Sequence, residues 1–331
     1  MREIAFIKQN KEKWLEFELA IFGKAKKNTD DLANLYIQLM NDLSYARTYY
    51  PKSKTVVYLN HLASLSYQKI YKTKREDKNR IVTFFKTEVP LLLYEYKRYL
   101  LYAFVLFFVM VAMGVVSAKF DKDFVRLILG DGYVNMTLEN IKKGNPMAVY
   151  SSGSNWGGFI AITLNNLYVG ARCYIYGIFG GIGTFYIFLQ NSLMLGSFQY
   201  FFYEHHVFWK SVRSIWIHGA MEIFAIVIET AAGFILGASI LFPKTYSRLN
   251  SFKIGFKNSF KIFLSTLPFT ISAGFLEGFI TRYAIDMPIL LSSFIILFTL
   301  AVISFYYLVY PFIVHKKLEI PNDTFTKNKS I

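Results

Sequence analysis

Cysteine is almost missing from these 331 residues: Cys173 stands alone. An intramolecular disulfide is therefore excluded, and a zinc site built from several cysteines with it. Acidic residues are scarce, 22 against 37 Lys and Arg, leaving a net charge of +15. Periodic glycine, sustained heptads and long polar tracts are absent, which excludes collagen, coiled coil and wholesale disorder. No GxSxG nucleophile elbow, Walker A loop, HExxH zincin pair or GxGxxG fingerprint after a strand occurs. Neither an enzyme nor a cofactor is expected from motifs.

The chain is instead rich in apolar residues, 54% hydrophobic and 18% aromatic with 18% charged. A soluble domain averages about 25% charged residues. The excess is collected into long runs after residue 98. Basic loops flanking membrane spans explain the positive charge better than nucleic acid does.

Residues 1–98 hold no apolar run long enough to cross a bilayer. Lys11, Glu12, Lys13 and Glu16 fall where the apolar core of a signal peptide would lie, so none is expected. The periodicity is helical. Ile4, Ile7, Trp14, Phe17 and Ile21 suggest one apolar face. Asn28, Thr29 and Asp30 are N-cap candidates for a helix through Leu32, Leu35, Leu39 and Leu43, ended by Pro51. Val57, Leu59, Leu62, Leu65 and Tyr67 mark a third helix over 54–71, and 72–80 reads as a charged linker. Residues 1–80 thus form a small cytoplasmic helical domain. Residues 81–98 are apolar but punctuated by Lys86, Glu88 and Pro90, which suits an interfacial elbow helix.

The fold class is all-α: a polytopic membrane bundle over 99–314, followed by a cytoplasmic tail over 315–331. Residues 99–118 run without a charge and match the roughly 30 Å hydrocarbon core. Residues 119–154 read as a loop with an interfacial helix. Arg172 divides the next apolar stretch into 156–171 and 173–202, because a charge at mid-membrane is costly. Further spans are 215–242, 262–280 and 289–314. This gives six crossings, or five with 156–171 re-entrant. The loop 243–261 and the tail are basic, so both termini are expected in the cytoplasm of an inner-membrane protein. The basic residues of 119–154 run against that rule.

Ionisable groups inside lipid are functional candidates. His218, Glu222 and Glu229 stand 4 and 7 residues apart, on one helix face. Glu277 lies between Gly274 and Gly278, a pair that admits a close neighbour. Asn165, Asn166, Gln190 and Asn191 are amides that bond a carboxyl group in either protonation state. These groups suggest an intramembrane polar cluster, serving as packing glue or as an ion pathway. Gly177, Gly180, Gly181 and Gly183 read as a packing flank. His218 and Glu222 alone make half a metal site, so no metal is expected. Glu204, His205 and His206 fall in a predicted outer loop.

Together, several segments resemble the stage II sporulation protein M family as found in non-sporulating bacteria. They are the opening Met1, Arg2 and Glu3 with Phe6, Ile7, Asn10, Lys11 and Trp14; the Asn165–Asn166 pair; Gly177, Gly180 and Gly181; Asn191 with Leu195 and Gly196; His218, Gly219 and Glu222; Gly233 and Gly237 before Pro243; and residues 273–277. Ser192 stands where glycine is expected. The resemblance implies a membrane scaffold without catalytic chemistry, in contact with lipid and envelope proteins. By that likeness the partners are an RDD-type membrane protein, a MoxR-type AAA ATPase or a peptidoglycan hydrolase, with a homo-oligomer also open. The other reading is a transporter or channel subunit that couples ions through Glu222, Glu229 and Glu277.

Overall fold

The computed structural model describes residues 1–21, 29–70, 79–148 and 154–319. The N-cap candidate Asn28, most of the 72–80 linker and the tail beyond 319 lie outside the described residues. The chain divides into two compact units, Met1–Arg80 and Ile81–Ile331.

Among its described residues the first unit has three helices: α1 (Glu3–Ile21), α2 (Thr29–Tyr49) and α3 (Lys54–Ile70). Phe6, Trp14, Phe17 and Ile21 of α1 meet Leu39 and Leu43 of α2 and Leu59 and Leu62 of α3 in one core. The Trp14 indole donates to Asp42 Oδ2 at 2.8 Å, which fixes α1 against α2. The buried face of α1 is the expected one at Trp14, Phe17 and Ile21, with Ile7 packed against the core, and it differs only at its start, where Phe6 is buried and Ile4 is not. Ile4 is 81% exposed, and Asn10 takes a buried place instead. Asn10 tolerates this because its Nδ2 donates to the Phe6 carbonyl at 3.0 Å, so the amide is satisfied within its own helix. Val57 is likewise 70% exposed on α3.

The second unit is all-helical among its described residues. A short α4 (Arg80–Thr83), a π-turn (Phe84–Glu88) and α5 (Val89–Glu95) lead into α6 (Lys97–Phe120). Then follow α7 (Lys122–Leu129), α8 (Asp131–Lys142), α9 (Asn155–Ile175), α10 (Ile182–Glu204), α11 (Phe208–Leu241) and α12 (Arg248–Phe279). Helix α13 (Ile289–Ser304) passes through a second π-turn (Phe305–Val309) into α14 (Tyr310–Glu319). Among the described residues four helices are long and apolar enough to cross a membrane: Lys97–Phe120, Phe208–Leu241, Arg248–Phe279 and Ile289–Leu318. Helix α11 is the central one and packs against α6, α9, α10, α12 and α13. The two π-turns meet: Tyr306 donates to the Phe85 carbonyl at 3.0 Å and Tyr310 to the Lys86 carbonyl at 3.2 Å. A π-turn widens the backbone ladder, which suits carbonyls that accept from outside their own helix.

Several boundaries differ from those the sequence suggested. Helix α9 does not stop at Arg172. The guanidinium lies 5.5 Å from the Tyr168 ring and 5.7 Å from the Tyr176 ring, one turn to either side, so the helix carries the charge through. The break comes instead at Gly180 and Gly181, with φ of 65° and 85°. That left-handed backbone suits glycine and strains other residues. The basic stretch 243–261 is mostly helix, because Ser247 caps α12 and the helix begins at Arg248. Lys261 of that helix reaches Glu88, which ties α12 to the elbow region. Among the described residues of 119–154, two helices follow the end of α6 and are parted by Gly130 at φ 81°.

Several glycines of these helices sit where a side chain would collide with a neighbouring element. A Cβ at Gly177 would run into the Gly233 carbonyl of α11. A Cβ at Gly274 would strike Thr163, and one at Gly278 would meet Phe159 of α9 at 2.9 Å. Helices α11 and α12 therefore approach their neighbours closely, which brings their polar side chains together.

Candidate intramembrane polar site

Helix α11 presents His218, which is 4% exposed, toward the C-terminal end of α12. There the chain leaves the helix for a short 3-10 turn at Thr281–Tyr283. The Thr281 hydroxyl lies 2.9 Å from His218 Nδ1. The other ring nitrogen, Nε2, faces Glu277 Oε2 at 3.6 Å. Glu222, one turn beyond His218, completes the group. One ligand-type atom from each of His218, Glu222 and Glu277 lies within 4.8 Å of the others. One imidazole and two carboxyl groups thus converge from two helices.

These groups line a cavity of about 610 Å³ formed mainly by α9, α10 and α11, with Phe107 of α6, Ile128 and Leu129 of α7, Tyr133 of α8 and Glu277 of α12. Asn165, Asn166 and Asn191 line it as well. Asn166 is 8% exposed, and its Nδ2 is buried beside Glu222 without a hydrogen bond of full geometry. Asn191 turns its Nδ2 onto the Ile187 carbonyl of its own helix at 2.8 Å. Gln190 is not a cavity residue; its amide pairs with Tyr186 at 2.9 Å on the exposed side of α10.

Glu229 shares the α11 face but does not line the cavity. It is 1% exposed and accepts from the Thr266 hydroxyl at 2.8 Å. A Cβ at Gly170 of α9 would strike its carboxyl group, so a glycine makes the room it occupies. Seven residues separate Glu229 from Glu222, about two turns, which carries it to a different level of α12. Glu204 ends α10, His205 and His206 form the turn after it, and none of the three takes part in the cluster.

Thr281, Thr266 and Arg213 were not singled out by sequence reasoning. Arg213 donates to the carbonyls of Ala284 and Met287 at 3.1 and 2.8 Å, which fastens the turn after Thr281 onto α11. Thr281 stands four residues after Glu277, one turn further on. That spacing is the only signal the sequence offered for its place beside His218.

The arrangement can hold a proton among three titratable groups, bind a cation, or bond an amide or hydroxyl of a partner. No curated protein and no solved structure matches the chain. A domain family of unknown function matches residues 4–72, within the first unit. The family described as stage II sporulation protein M matches residues 103–282, more than half of the chain, and that segment holds the cavity cluster together with Thr281. The chain is a helical membrane protein and belongs to the stage II sporulation protein M family.

Proposed function

We propose that the chain is a scaffold subunit of a multi-protein assembly in the cell envelope, with no catalytic chemistry of its own. One observation carries this reading. A self-contained helical unit with its own core leaves Ile4, Ile37 and Val57 uncovered, and it is joined to a membrane unit. No described helix of this unit is both long and apolar enough to cross a membrane, and we read the large apolar side chains left exposed on it as contact surface. The membrane unit anchors that surface. With α9 and α10, of 21 and 23 residues, as further crossings, the spans number six and both termini share one side. The basic residues of 1–80 and of α12 support a cytoplasmic location for that side.

The chain isolated from its native membrane in mild detergent should carry defined envelope proteins at fixed stoichiometry. Ile4→Asp with Val57→Asp should release them and leave the chain folded. A chain that carries no other protein, or one that keeps its partners in the double variant, contradicts the reading.

A transporter or channel subunit is the second reading, favoured by the cavity between His218, Glu222 and Glu277. Glu222→Gln and Glu277→Gln keep hydrogen-bonding ability and remove titration. A scaffold retains its assembly in both variants. A variant that is folded and assembled yet functionally dead points to transport.

A further inference from the structure

We propose that His218, Glu222 and Glu277 bind a divalent transition-metal ion of the zinc class inside the membrane unit. The donor set is one imidazole nitrogen and two carboxylates, all of which zinc accepts. His218 is already oriented as a ligand would be. Its Nδ1 is engaged by the Thr281 hydroxyl at 2.9 Å, and Nε2 is the nitrogen turned to the carboxyl groups. Metal-bound histidines keep such an outer partner on the second nitrogen.

The spacing fits an ion. Bonds of about 2.0–2.2 Å in tetrahedral geometry put ligand atoms roughly 3.3–3.6 Å apart. His218 Nε2 and Glu277 Oε2 are already 3.6 Å apart, and the whole set lies within 4.8 Å. A side-chain rotation of Glu222 closes the rest. The cavity leaves the fourth position open.

Charge points the same way. Among the described residues lining the cavity there is no Lys and no Arg. Two carboxylates buried in an apolar bundle without a cation are costly, and one divalent ion cancels both. Asn166 supplies an independent sign. Its buried Nδ2 faces Glu222 without a full hydrogen bond, where a donor would hold the far oxygen of a ligating carboxylate.

The test uses the full chain in mild detergent, with any purification tag removed. The protein is stripped by a chelator and reloaded with Zn²⁺ alone. Wild type should retain about one zinc per chain, as the three-ligand site requires. His218→Ala and Glu277→Gln should each lose it. Thr281→Val should bind 10–100-fold more weakly, the usual effect of removing an outer partner. Glu229→Gln should retain one zinc, because Glu229 lies outside the cluster. If the ligand variants do not fold, X-ray absorption at the zinc edge of the reloaded wild type decides. The expected shell is nitrogen and oxygen at about 2.0–2.2 Å with scattering from one imidazole. Wild type without zinc above the buffer control overturns the proposal, as does unchanged affinity in both ligand variants. A spectrum lacking an imidazole contribution does so as well.

Discussion

Thr281 sets which nitrogen of His218 faces Glu277. Its hydroxyl occupies Nδ1 at 2.9 Å, and Nε2 is left 3.6 Å from the Glu277 carboxyl group. The histidine and the threonine are 63 residues apart, and they meet because α11 and α12 run side by side. Thr281→Val keeps the shape and removes the hydroxyl, leaving a buried ring nitrogen unsatisfied. A loss of about 1–3 kcal/mol is expected in unfolding from detergent micelles. Thr281→Ser should restore most of it. Equal stability in all three proteins would show that the contact does not orient the ring.

Two glycine substitutions should act in opposite directions. A Cβ at Gly237 would fall 2.6 Å from the Gly180 carbonyl carbon and 2.8 Å from Gly181 Cα, all backbone. Gly237→Ala must therefore push the α9–α10 turn off α11, at about 1–3 kcal/mol. Gly158 of α9 has open space where its Cβ would go. Gly158→Ala should stabilise by roughly 0.5–1 kcal/mol through helix propensity. Thermal unfolding of both variants beside wild type checks the contrast in sign.

The polar face of α11 was legible in the sequence because spacings of 4 and 7 survive any detail of packing. The convergence with Glu277 was expected because a carboxyl group in another span must also turn into the bundle, although the sequence did not show which atoms meet. Two errors had physical causes. On α1, Ile4 drops out of the buried face while Phe6 and Asn10 enter it, Asn10 being a polar residue satisfied by its own helix. At Arg172, the cost of a charge in lipid argued for a break. Flanking tyrosines carry that charge, while left-handed glycines provide the turn. Hydroxyl groups such as Thr281 and Thr266 gave little signal, since a threonine in a helix commonly bonds its own backbone.

The N-terminal unit should lose local stability in acid through Glu3. The Ser53 hydroxyl, first, and the Thr55 hydroxyl at 2.7 Å hold its carboxyl group below the ordinary value of 4.5. A depressed carboxyl pKa contributes stability above the unfolded value and loses it as pH falls through the folded one. Hydrogen exchange at the start of α1 in the intact protein, corrected for intrinsic rates, should therefore speed up below about pH 4.5. Glu3→Gln should flatten that dependence. An unchanged profile in the variant would remove Glu3 as its source.

Topology is open to direct labelling. In a Cys173→Ser background, cysteines at Lys253 and Lys327 should resist an impermeant thiol reagent in intact cells, because basic residues collect on that side. Labelling of either from outside would overturn the six-crossing arrangement.

The convergence of α11 and α12 at one polar site is tested most directly by a double-mutant cycle. His218→Ala, Glu277→Gln and the double variant are unfolded in the same micelles as wild type. Residues in contact or in one network couple by about 0.5–3 kcal/mol, and distant ones add within roughly 0.3–0.5 kcal/mol. The predicted result is coupling of at least about 0.5 kcal/mol between His218 and Glu277. Strict additivity would mean that the two groups do not share a site, and the intramembrane cluster would fall with it.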